Sequence, residues 1–191
     1  MPHHLYALLS RMKVIRRWSL MLNATPENVA EHTLMTALLA HALALIARDV
    51  YGRAVSPDAC AARALFHDCA EILTGDLPTP VKYWSPALRE AYREVEEHNL
   101  ERLLSLAPDE LRSGLEACLR PAGEEVERYV AAADKLSAHI KCLEELRQGN
   151  AEFRLAAAQT LQKLKNMRMD EADYFIEHFL PAFSLTLDEL G

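Results

Sequence analysis

Apolar residues recur along this chain at the three-to-four-residue spacing of an α-helix. The first such stretch carries apolar side chains at Leu5, Leu8, Leu9, Met12 and Ile15. No segment shows the strict alternation of apolar and polar residues, bounded by hairpin turns, that is typical of a half-buried strand. The pattern therefore predicts an all-α fold.

Capping residues and prolines predict where the helices begin and end. Thr25–Pro26 and Ser56–Pro57 each resemble an N-cap followed by proline in the first helical position. The first pair predicts a helix to about Tyr51, and the second predicts a helix that ends at Gly75. Between residues 76 and 82 two prolines disfavour regular helix, so a rigid loop is expected. Further helices are predicted over residues 86–106, 109–120, 124–147, 153–167 and 171–180.

Composition narrows the class of protein. The chain has 191 residues, of which 50% are hydrophobic, and its composition does not shift along its length. One compact domain over residues 1–191 is therefore expected. A formal net charge of -7 makes a broad surface for polymeric nucleic acid improbable.

The sequence also predicts a cytoplasmic protein that does not enter a membrane. The first residues lack the apolar core and cleavage site of a secretory signal. The apolar stretch from Leu34 to Val50 is interrupted by His41, Arg48 and Asp49, which favours a buried amphipathic helix over a membrane span.

Histidine and aspartate residues in several predicted helices suggest a metal site. His32, His67, Asp68 and Asp134 offer two imidazoles and two carboxylates, a ligand set suited to borderline and hard divalent cations. Glu71 follows His67 by four residues, so a helix would place it on the same face. The sequence therefore predicts a metal held between helices, with an acidic side chain beside it. A His-Asp pair also occurs by chance, and taken alone it fits a structural role.

Longer motifs around these residues resemble a known family. The H…HD…D pattern resembles the HD superfamily of metal-dependent phosphohydrolases. RRWSLM (16–21), NVAEH (28–32), FHDCAEILTGDLPTPVKY (66–83), AADKLSAHIKCLEE (132–145) and the ending FLPAFSLTLDEL resemble the HD-domain 5'-deoxynucleotidases, the YfbR-like family. The similarity covers essentially the whole chain in the same order. It implies an all-α HD-domain bundle with a metal site between helices.

The resemblance also implies a function and a set of site residues. The expected activity is hydrolysis of 2'-deoxynucleoside 5'-monophosphates by a homodimer that holds one divalent ion such as Co²⁺ or Mn²⁺. The implied metal ligands are His32, His67, Asp68 and Asp134, and the implied catalytic residues are Glu71, Arg17 and Asp76. The implied substrate-binding residues are Arg17, Trp18, His32, Asp68, Asp76, Leu77, Pro78, Thr79 and Asp134.

Elementary chemistry fits three of these assignments. The guanidinium of Arg17 supplies permanent positive charge for a phosphate dianion. Trp18 offers a flat wall that would exclude a 2'-hydroxyl, and Asp76 precedes a proline-stiffened loop where it would reach a sugar hydroxyl or water. Each residue also has a structural interpretation, as a helix-end charge, a core side chain and a turn cap respectively.

Two rival functions stay open at this point. Another HD phosphohydrolase would act on nucleoside triphosphates or on cyclic or alarmone nucleotides. Two-metal members of the superfamily carry extra histidines between the HD pair and the last aspartate, and only His98 lies in that interval here, which favours a single metal. A helical binding module with vestigial HD residues is the second rival, and the intact ligand set argues against it.

Overall fold

The computed structural model describes residues 3–82 and 84–191, with the side chain of Thr79 left undescribed. Within these residues the regular structure is helical, which confirms the all-α prediction. The α-helices are α1 (Leu5–Leu9), α2 (Val29–Asp49), α3 (Pro57–Ala64), α4 (Glu71–Thr74), α5 (Thr79–Lys82), α6 (Pro86–Ser105), α7 (Asp109–Leu119), α8 (Glu124–Arg147), α9 (Arg154–Asn166) and α10 (Asp170–His178). Short 3₁₀ helices cover Ser10–Val14, Ala151–Phe153, Leu180–Ser184 and Leu187–Glu189.

Helix α2 begins three residues later than predicted. Its N-cap is Asn28, whose side chain accepts a hydrogen bond from the Glu31 amide, while the Glu31 carboxylate accepts one from the Asn28 amide, each at 3.0 Å. This capping box satisfies two amides that a helix terminus leaves unpaired. The predicted start at Thr25–Pro26 is therefore wrong. Those residues belong to the irregular 15–28 loop, which also contains Arg17 and Trp18.

The predicted helix from Pro57 to Gly75 is interrupted where the His-Asp pair lies. Helix α3 ends at Ala64, and helical structure returns only at Glu71. Between them the backbone forms tight i→i+3 hydrogen bonds, such as Cys69 N to Phe66 O at 3.1 Å. The ring of His67 also lies 2.7 Å from the Ala64 carbonyl oxygen, an acceptor that a continuing α-helix would offer to Asp68.

The proline-containing segment after Gly75 is partly helical, contrary to the predicted loop. Thr79–Lys82 forms one helical turn, with Pro80 in its second position. Proline is tolerated in a first turn because its missing N–H would have no helical partner there. Residues 76–78 remain irregular.

Helix α2 lies at the centre of the fold and packs against α3 and α8. Small and aliphatic side chains fill this contact; Ala40, Leu43, Ala44, Ala133 and Leu136 are fully buried. Helices α9 and α10 close the same core through Leu164, Ala172 and Phe175. The α2–α8 contact is important for the site because each helix carries a predicted metal ligand. The assignment of the whole chain to one domain stays a prediction.

One described helix, α2, is long and apolar enough to span a membrane, judged by length and composition alone. Of its apolar window, 56% is buried inside the fold. The core helix of a soluble protein has the same features, and α2 packs as such a helix here.

A buried ion pair in α8 holds the 15–28 loop. Glu145 accepts hydrogen bonds from the backbone amides of Ala24 (2.8 Å) and Thr25 (3.0 Å). Lys141 donates both to Glu145 and to the carbonyl oxygen of Thr25. Asn150 donates to Glu145 and to the carbonyl oxygen of Leu22, at 2.7 Å each. The loop therefore has a defined conformation even though it lacks regular structure.

We expect Glu145→Gln to lower the free energy of unfolding at pH 7 by about 3 kcal/mol, because it leaves the buried Lys141 ammonium without its counter-charge. Burial opposes the charged form of Glu145, but hydrogen bonds from Lys141 and the loop amides lower its pKa to about 2 from 4.5. This stabilisation is therefore present above about pH 4.5 and is lost as the pH falls toward 2.

Urea unfolding at pH 7 and at pH 3 measures the effect. The difference between wild type and Glu145→Gln should shrink at pH 3. The control is Glu144→Gln, at an exposed neighbouring position, which should change stability by less than about 0.5 kcal/mol. Equal losses in the two variants would contradict the anchoring role.

Candidate metal centre and substrate site

His32 lies in the first turns of α2, is fully buried and faces α8. Its Nδ1 lies 3.1 Å from the Ser137 hydroxyl, and its Nε2 lies 3.2 Å from Oδ1 of Asp134. Nε2 is also 3.6 Å from Oδ2 of Asp68. Nε2 therefore faces the two carboxylates: it donates to Asp134 when it carries a proton, and it offers a lone pair when the proton is on Nδ1 alone.

His67 and Asp68 bring a second imidazole and a carboxylate to the same point. Because the His67 ring donates through Nδ1 to the Ala64 carbonyl oxygen, its Nε2 is left as the inward-facing atom, 3.1 Å from Oδ2 of Asp68. The two imidazole rings lie 5.4 Å apart between centroids. Burial disfavours the charged form of Asp68, yet the neighbouring His67 lowers the pKa of this carboxyl.

Helix α8 contributes one polar stripe to the site. Asp134, Ser137, Lys141 and Glu145 are spaced at i, i+3, i+7 and i+11, which places them on one side of the helix. Asp134 contacts His32 through Oδ1 and the Lys135 ammonium through Oδ2 at 2.6 Å. Despite burial, the hydrogen bond to His32 and the charge of Lys135 lower the pKa of the Asp134 carboxyl.

This cluster fits a divalent metal ion. One ligand atom from each of His32, His67 and Asp68 lies within 4.8 Å of the others, a spacing that one ion can bridge. Nε2 of His67 is buried and makes no well-aligned hydrogen bond among the described residues, although Oδ2 of Asp68 lies 3.1 Å away; a metal ion between the two atoms would give each a ligand. Asp134 lies outside this three-residue set and joins it through His32. The structure thus brings the four predicted ligands together, and their assignment as ligands stays a prediction.

Glu71 begins α4, one turn beyond Asp68, and is only 7% exposed. Its Oε2 is buried with no hydrogen-bond partner in the described part of the protein. Burial, and then the charges of Asp68 and Asp76, raise the pKa of Glu71 to about 9. The protein alone therefore favours a protonated Glu71 at neutral pH, which is a group able to give up a proton.

Arg17 reaches the metal cluster from the 15–28 loop. Its Nη1 lies 3.5 Å from Oδ2 of Asp68. Burial works against its charge, but the Asp68, Asp134, Glu27 and Asp76 carboxylates outweigh that effect and raise the pKa of Arg17. Asp76 follows α4 and is partly buried; burial raises the pKa of Asp76, while Arg17 opposes the rise. Arg17 therefore contacts the cluster and Asp76 lies close enough to interact with its charges, while their catalytic roles stay predictions.

Trp18 lies beside Arg17 and packs on Phe153, with ring centroids 5.4 Å apart. Its indole Nε1 donates a 3.1 Å hydrogen bond to Oε2 of Glu27. The same carboxylate oxygen accepts from Nε of Arg17, also at 3.1 Å. Glu27 is not predicted from the sequence, because a carboxylate in an irregular loop has no periodic signal. The sequence offers one indication of its position: Glu27 directly precedes Asn28, the N-cap of α2, and therefore lies at the end of the loop that carries Arg17 and Trp18.

The predicted substrate loop is only partly described. Leu77 and Pro78 are partly exposed between α4 and α5. Thr79 begins α5, and its side chain lies outside the described part of the structure.

Solved structures with this architecture include HD-domain phosphohydrolases. The HD-domain phosphohydrolase of Listeria innocua is 27% identical, with a TM-score of 0.81 over 95% of this chain and 88% of that one. The HD phosphohydrolase DatZ of cyanophage S-2L, bound to dA and one catalytic Zn²⁺ ion, is 25% identical, with a TM-score of 0.67 over 94% of this chain and 96% of that one. The fold and the His-Asp cluster therefore define an HD-domain phosphohydrolase.

Sequence relatives identify the family within this class. The family model for 5'-deoxynucleotidase YfbR-like proteins matches residues 4–183. A 5'-deoxynucleotidase of Vibrio parahaemolyticus is 43% identical over 98% of both chains. A 5'-deoxynucleotidase of Salmonella paratyphi B is 44% identical over 98% of this chain and 96% of that one. This chain belongs to the 5'-deoxynucleotidase YfbR-like family.

We expect Ser137→Ala to weaken divalent-metal binding about 10- to 100-fold, because the hydroxyl orients the ring whose Nε2 faces the cluster. Competition titration with a chromophoric chelator measures the affinity. Thr160→Ala is the matched control, since it removes a hydroxyl 3.0 Å from Nδ1 of His139, which is not part of the cluster. Unchanged affinity in Ser137→Ala would contradict the orienting role.

Proposed function

We propose that this 5'-deoxynucleotidase hydrolyses 2'-deoxynucleoside 5'-monophosphates to deoxynucleosides and phosphate with one divalent metal ion. Membership of the family supports the reaction. The observation that supports the chemistry is the convergence of His32, His67 and Asp68 next to the Arg17 guanidinium. His32, His67, Asp68 and Asp134 would hold the ion.

The charges around the cluster suit a phosphate dianion once a cation is present. Asp68 and Asp134 are held ionised, so the protein alone repels an anion at this point. The divalent ion that His32, His67, Asp68 and Asp134 would hold would supply Lewis-acid charge for the phosphoryl group and would lower the pKa of a water molecule. Arg17 adds a second, permanent positive charge at the edge of the cluster, where it would balance charge that grows on the phosphoryl oxygens.

The surroundings of Glu71 support a role in proton transfer. Its unpartnered, buried oxygen and raised pKa suit a general acid that protonates the leaving 5'-oxygen. A bound cation would lower this pKa, and an ionised Glu71 would instead accept a proton from the attacking water. Both roles place Glu71 in proton transfer, and the choice of leaving group separates them.

The 15–28 loop and Asp76 would bind the sugar. Trp18 presents a rigid aromatic ring that packs on Phe153, so a 2'-hydroxyl directed at this ring would clash with a side chain that is held in place. Asp76 would accept a hydrogen bond from a sugar hydroxyl, with Leu77, Pro78 and Thr79 lining the mouth beside it. His32, Asp68 and Asp134 would contact the substrate through the phosphate.

Finer features of the function remain predictions. A single ion is supported by the sequence, in which His98 is the one histidine between Asp68 and Asp134, and by the one catalytic Zn²⁺ of the cyanophage relative. A His2Asp2 ligand set accepts several metals, so cobalt or manganese rests on the family resemblance. The homodimer rests on the same resemblance, and the cytoplasmic location stays a prediction from the sequence.

We expect metal-stripped protein to release little phosphate and to regain activity when it is reloaded with a divalent ion. The screen supplies Co²⁺, Mn²⁺, Mg²⁺ or Zn²⁺ and offers deoxynucleoside mono-, di- and triphosphates, ribonucleoside monophosphates and cyclic nucleotides. Phosphate release from deoxynucleoside 5'-monophosphates in preference to all others is the expected result. A preference for triphosphates or cyclic nucleotides would refute the proposed substrate.

Glu71→Gln should lower kcat by at least about 100-fold while the metal content stays near stoichiometric, because the amide neither gives nor takes the proton. An analogue with sulfur in place of the bridging 5'-oxygen has a leaving group that needs no proton. If Glu71 is the general acid, the variant should lose much less activity on this analogue. An equal loss on both substrates would assign Glu71 to water activation, and unchanged kcat would remove it from the mechanism.

A further inference from the structure

Glu27 connects the two loop residues proposed to contact the substrate. One oxygen of its carboxylate, Oε2, accepts hydrogen bonds from Nε of Arg17 and from Nε1 of Trp18, both at 3.1 Å. The Glu27 and Arg17 side chains are 13% and 12% exposed, so water competes weakly for these bonds. Hydrogen bonds to a shielded charge are stronger than those between neutral groups.

The backbone brings Glu27 into this position. The Arg17 amide donates to the Glu27 carbonyl oxygen at 3.0 Å, and the Val29 amide donates to the carbonyl oxygen of Ile15 at 3.0 Å. Arg16 and Asn28 form an antiparallel bridge between these contacts. The two ends of the 15–28 loop are thus paired, which fixes Glu27 beside Arg17 and Trp18.

Trp18 requires such support because its backbone is strained. Its φ angle of 55° lies in the left-handed region, which a bulky residue seldom occupies. Such a conformation persists only where surrounding contacts enforce it. Asn23 donates to the Trp18 carbonyl oxygen at 3.2 Å, and Glu27 holds the distal nitrogen of the ring.

We infer that Glu27 is a positioning residue that sets sugar selectivity by holding the Trp18 ring and the Arg17 guanidinium in one fixed relation. The inference rests on the proposed roles of those two residues. Because Glu27 accepts the Nε–H of Arg17, the terminal nitrogens Nη1 and Nη2 keep N–H donors for the phosphate. Nη1 also lies 3.5 Å from Oδ2 of Asp68, at the edge of the cluster. One carboxylate thereby links the phosphate-binding and the sugar-binding parts of the site.

Four variants test this inference with deoxynucleoside and ribonucleoside 5'-monophosphates. Glu27→Ala removes both hydrogen bonds. Glu27→Gln keeps an oxygen that accepts from Trp18 but removes the charge beside Arg17. Trp18→Ala removes the wall, and Trp18→Phe keeps an aromatic ring without the Nε1–H donor.

We expect Glu27→Ala to reduce the deoxy-to-ribo ratio of kcat/KM about tenfold, with unchanged metal content. Glu27→Gln should keep most of the ratio, because the ring still has its acceptor, while KM rises through the weakened hold on Arg17. In the Trp18→Phe background, Glu27→Ala should cause little further change in the ratio, since the hydrogen bond is already absent.

The matched control is Glu152→Ala. Glu152 accepts a 3.1 Å hydrogen bond from the Leu22 amide, so this variant loosens the same loop without touching Arg17 or Trp18. Its sugar ratio should match that of the wild type. An equal drop in Glu152→Ala and Glu27→Ala would reduce Glu27 to a general stabiliser of the loop and overturn the inference.

Two outcomes distinguish a failure of this inference about Glu27 from a failure of the proposed sugar-binding role of Trp18. If Trp18→Ala lowers the sugar ratio and Glu27→Ala does not, Glu27 has no positioning role. If Trp18→Ala leaves the ratio unchanged, the proposed sugar wall fails, and fluorescence then decides on Glu27. In a Trp84→Phe background Trp18 is the one tryptophan, so the tryptophan fluorescence reports on its ring alone. Glu27→Ala should shift the wavelength of this emission, and Glu27→Gln should not. An unshifted spectrum would overturn the inference.

Discussion

The site depends on the contact between His32 on α2 and the polar stripe of α8. A fully buried imidazole is costly unless both nitrogens have partners, and here Ser137 faces one nitrogen while Asp134 and Asp68 face the other. Small side chains on both helices allow the close approach that this contact needs. The hydrophobic core and the metal centre are therefore formed by the same pair of helices, and neither can be rearranged without the other.

A second constraint is the excess of negative charge around the cluster. Asp68, Asp134, Asp76 and Glu71 converge there, and Arg17 is the cation that lies against Asp68. The carboxyl groups respond in different ways: His67 and His32 lower the pKa of the aspartates beside them, whereas burial raises the pKa of Glu71. Identical chemical groups thus acquire distinct roles, as ligand or as proton carrier, from their neighbours alone.

The sequence predicts well those elements that local signals determine. Ser85 and the prolines around α7 mark α6 and α7 correctly, and Gly149 follows the end of α8 as expected. The turn that carries His67 and Asp68 was not predictable, because helical periodicity does not distinguish i→i+3 from i→i+4 hydrogen bonding over six residues. Glu27 was missed since its role depends on loop ends that meet only in three dimensions. The resemblance supplied candidate site residues that periodicity alone left ambiguous.

The stripe on α8 makes helical register a part of the chemistry. Asp134 and Ser137 serve the metal centre, while Lys141 and Glu145, about 10 and 16 Å along the axis from Asp134, hold the loop that carries Arg17 and Trp18. A single residue inserted between Ser137 and Lys141 would turn the second pair by about 100° relative to the first. An exposed loop generally tolerates an insertion. An insertion within this segment of α8 would instead separate the metal centre from the support of the substrate-binding loop.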